Sequence, residues 1–324
     1  MSSVTVTEAA NERELLLSTS PHLQSRWTTK QIMWFVVLAL VPSVVSAVVF
    51  FGFAQLLVLA TAVLFAVGTE ALIQYLLKKP IAVSDGSAVI TGLLLGLVLP
   101  PHFSLFFTAL GAVFAIGVGK MLFGGLGYNI FNPALVGRAF LQATFPVAIT
   151  SWTIPHFAVD SVSKATPLAA MKFDGVATAI TPLFYGNVGG SLGETSAVAV
   201  LIGGIFLLVT GVANWRIPAA MIVGVVVFGG GLWLLDSTYP NPVFHIFAGS
   251  FLFGAMFMAT DYVSSPITGL GMWIYGLGIS LVLILIRVFG GLPEGVMYAI
   301  LFMNAFVPLI NRYTRPRIFG EVKS

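Results

Sequence analysis

Few side chains in this sequence can do chemistry, so each one carries weight. Glu70 and Arg138 each sit inside a long apolar stretch. They can pair with each other or line an ion path, and the sequence leaves both open. Asp85 and Asp261 stand where apolar stretches end, and Asn132 precedes Pro133 at the start of another. Ionised groups at membrane depth are functional candidates by default, because burying them unpaired is costly. Arg287 and Glu294 flank a Phe-Gly-Gly turn and read as a local ion pair. Of the four histidines (His22, His102, His156, His245), the last three fall near one face, whereas a pair of axial haem ligands usually sits within helices at facing depths. Thr166 lies in the segment Asp160-Ser161-Val162-Ser163-Lys164-Ala165-Thr166-Pro167-Leu168. Its hydroxyl is flanked by small Ala165, and Pro167 holds the preceding backbone extended. Such a hydroxyl can carry a phosphoester, with Lys164 and Lys172 offsetting its charge. On residue types alone the segment reads as an ordinary outer loop with a proline turn.

The elements that must position these residues are membrane helices. Hydrophobic residues make up 58% of the 324-residue chain and charged residues 8%, with mean hydropathy +0.99. Soluble domains carry about 25% charged residues, so this chain cannot build a water-soluble surface. The 34 glycines and 17 prolines suit helices that approach closely or break within a bilayer. Without cysteine the chain has no disulfide, no thiolate-held iron–sulfur cluster and no c-type haem attachment. Residues 1–30 are mixed and polar, and no short apolar run leads to a small-residue cleavage site.

The fold class expected is an all-α polytopic membrane protein. Ten helices are predicted, at about 31–52, 55–77, 86–101, 103–122, 130–150, 196–214, 217–235, 244–260, 269–288 and 295–311. The third is short and glycine-rich, a candidate for a broken or re-entrant element. Threading ten spans from an inside N-terminus puts Arg13, Arg26, Lys30, Lys78, Lys79, Lys120, Arg216, Arg312, Arg315, Arg317 and Lys323 inside, eleven of fifteen basic residues. Cytoplasmic loops carry such an excess of Lys and Arg. Both termini are then cytoplasmic and the Thr166 loop faces out. The expected organisation is a cytoplasmic segment 1–30, five helices in 31–151, an outer loop 152–195, five helices in 196–311 and a cytoplasmic tail 312–324. An odd number per half makes two similar halves oppositely oriented. Phe123-Gly124-Gly125-Leu126 recurs as Phe289-Gly290-Gly291-Leu292, an offset of 166 residues (289 − 123), and Ile90-Thr91-Gly92 is echoed by Ile267-Thr268-Gly269.

Two glycine-rich stretches remain. Residues 117–141 lack the Gly-Lys-Ser/Thr ending and preceding strand of a phosphate-cradling loop. They read as a tight inner turn entering a helix through Asn132-Pro133, either a plain helix–helix turn or a break whose backbone binds ions. Gly189-Gly190-Ser191-Leu192-Gly193-Glu194-Thr195-Ser196 suits a helix N-terminus, and its glycines also admit a ligand close to the backbone.

Taken together, these stretches resemble the NqrB/RnfD family, and most closely its RnfD members, which belong to Rnf ion-translocating oxidoreductase complexes. The matching blocks are Asp85-Gly86-Ser87-Ala88, Gly119-Lys120 through Gly137-Arg138-Ala139, Ala165-Thr166-Pro167-Leu168, Gly189 to Ser196, Trp215-Arg216-Ile217-Pro218, Phe257-Met258-Ala259-Thr260-Asp261 and Pro293-Glu294-Gly295. The resemblance implies two inverted five-helix repeats, similar to urea and ammonium channels. It implies FMN joined through its phosphate to Thr166, and a non-covalent riboflavin is known among such proteins. It further implies Na+ or H+ translocation driven by electron flow of the ferredoxin:NAD type, in the bacterial inner membrane. The implied partners are other Rnf subunits bearing iron–sulfur clusters and flavin, a flavin transferase and membrane lipid, not nucleic acid. Glu70, Asp85, Asn132, Arg138 and Asp261 become candidates for an ion path or flavin pocket. The family's flavinylation pattern usually reads Ser-Gly-Ala-Thr, and here Lys164 stands in place of the Gly. Two other readings stay open on the residues: an NqrB-like subunit of a Na+-translocating NADH:quinone reductase, which typically has a longer cytoplasmic N-terminal segment, and a non-redox channel of the same fold.

Overall fold

The structure is a computed structural model that describes residues 27–153, 155 and 165–316. The predicted terminal segments 1–30 and 312–324 fall largely outside the described residues, as do Ser163, Lys164, His22 and His156. Ten segments are labelled here: α1 (Thr29–Phe51), α2 (Gln55–Leu76), α3 (Ser87–Leu97), α4 (Leu105–Gly117), α5 (Pro133–Thr144), α6 (Ala197–Val209), α7 (Arg216–Leu235), α8 (Pro242–Phe247), α9 (Gly269–Phe289) and α10 (Val296–Tyr313). No strand occurs among the described residues.

Among the described residues, six helices are long and apolar enough to cross a membrane: α1, α2, α4 with its extension to Phe123, α7, α9 and α10. At about 1.5 Å rise per residue the 23 residues of α1 reach across a hydrocarbon core. Its start is fixed by a capping box between Thr28 and Gln31. Trp34, Leu38, Val41, Val45 and Val49 recur on its exposed side, whereas Leu40 and Ala47 are fully buried. This inside-out pattern suits lipid contact.

The other crossings are shorter than predicted, for local reasons. The Phe145-Pro146 step stops α5 at Thr144, because proline disfavours helix in the residue before it. The eighth segment, predicted as one helix over 244–260, is broken. Helix α8 ends at Phe247, Gly249 adopts φ 67°, and a second piece runs from Phe251 through a π-turn at Gly254–Met258. The third segment, α3, has 11 residues and gives way to a turn at Val98 and Leu99, and the Leu97 and Leu99 carbonyls accept from Gly193 and Leu192 N–H at 2.7 and 3.1 Å. The stretch 191–196, predicted as part of an outer loop, is buried.

Helix α2 packs on α3 and α4, and α4 on α5; likewise α7 packs on α9, and α9 on α10. Contacts of α1 with α6 and of α5 with α10 join the two sets around one apolar core. The α1–α6 approach is close enough that a Cβ at Gly203 would strike the Ala39 carbonyl.

Candidate functional site

The polar residues gather in two buried clusters at different heights of one short helix. Asn132 caps α5, its Oδ1 accepting from Ala134 and Leu135 N–H at 3.1 and 3.3 Å, and Pro133 follows at the first helical position. Arg138 lies six residues on, about 9 Å along the axis.

The first cluster, called outer, as the second is called inner, after the orientation expected from the sequence, is a triad. Arg138 is 3% exposed; its Nη1 donates to Glu194 Oε1 at 3.1 Å and its Nη2 to Glu294 Oε2 at 2.6 Å. Glu194 comes from the stretch before α6 and Glu294 from the turn before α10, so one guanidinium fork ties three remote segments. Two sequence expectations are corrected here. Arg138 does not pair with Glu70, and Glu294 is the partner of Arg138 and not of Arg287. The Arg287 guanidinium instead donates to the His245 and Ala248 carbonyls at 2.6 and 3.0 Å, acceptors that the broken eighth segment exposes.

Thr166 stands beside this triad. It is 5% exposed, not on an open loop as expected, because Leu168 draws the segment down onto Leu183, Phe244 and Ala248. Its Oγ1 accepts from Ala169 N–H at 3.2 Å, capping a short turn. Thr166 nevertheless lines two clefts. One, of about 500 Å³ counting its open mouth, also holds Arg138, Gln142, Trp152 and Tyr298. The other, of about 350 Å³, holds Gly189, Gly190 and Glu194. Lys172 turns elsewhere: its ammonium donates to the carbonyls of Ile286, Arg287 and Leu292 at 3.0–3.3 Å, at the end of α9.

The inner cluster centres on Lys120, which is 2% exposed. Its Nζ lies 2.6 Å from Glu70 Oε2 and 2.6 Å from Ser87 Oγ. Gln74 donates to the other Glu70 oxygen at 3.2 Å, and Asp85 accepts from Ser87 Oγ at 2.7 Å and Ser87 N–H at 2.8 Å. Lys120 therefore belongs to a buried pair and not to the solvated inner face where the charge count put it. The cluster borders a cleft of about 740 Å³ lined also by Asn129, Asn132 and Asp261. Asn132 Nδ2 donates to the Met258 carbonyl at 3.3 Å, and Asp261 Oδ2 accepts from Ser264 Oγ at 2.8 Å. Burial pushes the Asp261 carboxyl above its usual range, against hydrogen bonds from Ser264, Val263 and Asn129 that pull it down. Of the sequence candidates, Glu70 and Asp85 join the Lys120 network, Asn132 and Asp261 line its cleft, and Arg138 and Thr166 form the outer site.

Sequence reasoning missed Lys120, Ser87 and the pair Tyr275–Asn304. The fully buried Asn304 on α10 lies 2.5 Å from the Tyr275 hydroxyl, and with its amide turned to satisfy both ends it accepts from Asn132 N–H at 3.1 Å. The available signal was an Asn and a Tyr inside apolar helices, where each must find a partner.

A bundle of apolar helices that buries an arginine–carboxylate triad and a lysine–glutamate pair beside clefts is a multi-pass membrane protein with polar working sites inside it. The particular family follows from sequence: the chain belongs to the NQR2, RnfD, RnfE family, which it matches over residues 16–320. It is 45% identical over 318 residues to the D subunit of the Na(+)-translocating ferredoxin:NAD(+) oxidoreductase complex of Acetobacterium woodii, covering 97% of this chain and 98% of that one. It is 43% identical over 319 residues to the D subunit of the proton-translocating ferredoxin:NAD(+) oxidoreductase complex of Clostridium ljungdahlii, covering 94% and 96%. The D subunit of the ion-translocating oxidoreductase complex of Mannheimia succiniciproducens is 36% identical over 344 residues, with 94% and 97% covered.

Proposed function

We propose that this chain is the D subunit of an ion-translocating ferredoxin:NAD+ oxidoreductase complex. In this reading it relays electrons through FMN esterified to Thr166 and couples their flow to Na+ or H+ movement. It works with other Rnf subunits in the bacterial inner membrane, with both termini cytoplasmic and Thr166 outside. The names borne by its relatives and the family match support the complex and the activity.

The observation that carries the flavin reading is the setting of Thr166. Its hydroxyl borders a cleft that also contains Arg138, whose Nε is buried without a hydrogen-bond partner. A phosphodiester needs a cation and a donor beside it, and this cleft offers both. Trp152 and Tyr298 supply aromatic faces in the same cleft. The residues present therefore fit the group. When bound, FMN supplies one-electron chemistry that no side chain here can perform. The chain's own residues hold it: Thr166 through its oxygen, Arg138 through charge, and Glu194 and Glu294 by fixing the Arg138 plane. A flavin transferase makes the ester. The inner cleft, with Asp261 as its acid and Asn129 and Asn132 as amides, is the place for the translocated ion or a non-covalent riboflavin.

The proposed organisation is two inverted repeats, 31–151 and 196–311. Its support is the spacing of corresponding helices, whose starts (29 and 197, 55 and 216, 105 and 269, 133 and 296) recur in order with matching neighbours.

Expression with the flavin transferase, followed by denaturing electrophoresis and intact mass measurement, tests the reading. Wild-type chain carries covalent flavin fluorescence, Thr166→Ala carries none, and Thr166→Ser retains part because the attacking oxygen remains. The lost cap costs Thr166→Ala about 1 kcal/mol, so the variant still folds. A wild-type band without fluorescence, or a fluorescent Thr166→Ala band, ends the proposal.

A further inference from the structure

A fourth cleft, of about 610 Å³ counting its mouth, lies on the far side of the Leu168 turn. It is lined by Lys172, His245 and Arg287, and Thr238, Tyr239 and Pro240 are among its other walls. Arg287 and His245 are 5% and 3% exposed. Arg287 Nε and His245 Nδ1 are both buried without a hydrogen-bond partner. A Cβ on Gly229 of α7 would touch His245 Cδ2 at 3.4 Å, so Nδ1, on the opposite edge of the ring, points away from α7.

The cleft itself is lined by cations. Arg287 and Lys172 are held by main-chain carbonyls alone. Among the described residues neither has a carboxylate within ion-pair distance, and no acid lines the cleft. Glu194 and Glu294, both bound to Arg138, attract Arg287 from outside the cleft without forming an ion pair with it. A buried guanidinium without a counter-charge is costly, and carbonyl dipoles offset only part of that cost. An acceptor bearing negative charge would meet the free Arg287 Nε–H and the imidazole together, beside the Lys172 ammonium.

We propose that this cleft is an oxyanion site, taking a phosphate or carboxylate group that enters past Thr238 and binds between Arg287, His245 and Lys172. The site is separate from the Arg138 triad and stands whether or not Thr166 carries a flavin. Thr166 does not line this cleft, so the occupant is a free anion.

The test uses the full chain in lipid nanodiscs of uncharged phospholipid and titrates inorganic phosphate against chloride at constant ionic strength. Binding is followed by calorimetry and by the unfolding midpoint. The expected result is saturable binding of one phosphate per chain. Arg287→Gln should weaken it by at least about tenfold, the value of one charge-assisted hydrogen bond. Thr238→Glu, at an exposed position that leaves folding untouched, should weaken it similarly by placing a carboxylate at the mouth. Binding in both flavinylated wild type and Thr166→Ala identifies a free anion as occupant. Binding in Thr166→Ala that disappears in the flavinylated chain would mean that the tethered phosphate fills the cleft, which overturns a separate site. No saturable binding in either chain, or binding indifferent to Thr238→Glu, overturns the site.

Discussion

The outer and inner clusters bury charge by opposite means. Outside, one planar guanidinium bridges Glu194 and Glu294, which lie 56 and 156 residues from Arg138 in sequence. Inside, one ammonium bridges Glu70 and Ser87, 50 and 33 residues away. The arginine fork thus links α5 to the second half of the chain, whereas the lysine links α2, α3 and the end of α4 within the first half. The two also differ in what they leave over. The Lys120–Glu70 pair is closed, and the acid remaining in its cleft is Asp261, held by uncharged partners. The outer face instead leaves over the cations Arg287 and Lys172. On the proposed readings, the cleft beside Lys120 suits a cation and the cleft beside Arg287 an anion.

Removing the cation of each cluster is the harshest test of this contrast. Arg138→Leu strands two buried carboxylates and unties three segments, and should cost at least the roughly 3–5 kcal/mol of a broken buried pair. Arg138→Lys should recover only part, since a point charge cannot span both acids. Lys120→Met strands Glu70 alone and falls in the same roughly 3–5 kcal/mol range, below Arg138→Leu. Adding Glu70→Gln to Lys120→Met should return most of the loss, because an uncharged pair of similar size removes the stranded charge. Unfolding midpoints of the purified variants decide this. Equal losses for Arg138→Leu and Arg287→Leu would mean that the triad is no special tie.

How much of this could be read in advance depends on the range of the interaction. Helix positions follow from runs of apolar residues, so α1, α2, α7 and α9 fall within a few residues of prediction. Breaks are also local where proline causes them, as at Pro146. The break at Gly249 was not legible, because its glycine looks like any other in a glycine-rich chain. The need of Arg138 for a partner was legible from its depth. The identity of that partner was not, since Glu194 and Glu294 are distant in sequence and each had a bland local role as a helix-start acid or a turn acid. Lys120 misled for the opposite reason: a lysine at a helix end usually lies in water, and only the fold shows Glu70 closing over it. Thr166 was singled out by resemblance, and its burial under the Leu168 anchor lies beyond any local pattern.

The smallest expected effect concerns the acid left over inside. Burial raises the Asp261 carboxyl pKa, so the folded chain keeps this proton to a higher pH than the unfolded chain, where aspartate titrates near about 3.9. Where the folded state binds more protons, stability falls as pH rises. The loss should therefore begin near the ordinary aspartate value and end once pH passes the raised folded value. Its slope cannot exceed about 1.4 kcal/mol per pH unit for one proton, and partial exposure makes it smaller. Lys120 lines the same cleft but is already paired with Glu70, so it cannot take over as counter-charge without stranding that acid. Asp261→Asn should flatten this part of the stability–pH profile. In wild type, saturating Na+ should flatten it too if the carboxylate is a cation ligand, because a bound cation offsets the desolvation that raised the pKa. The outer triad supplies the control, since Glu194 and Glu294 already share a guanidinium and neither should respond to Na+. A wild-type profile identical to that of Asp261→Asn would remove Asp261 from the inner site, leaving Lys120 and Glu70 as a purely structural pair.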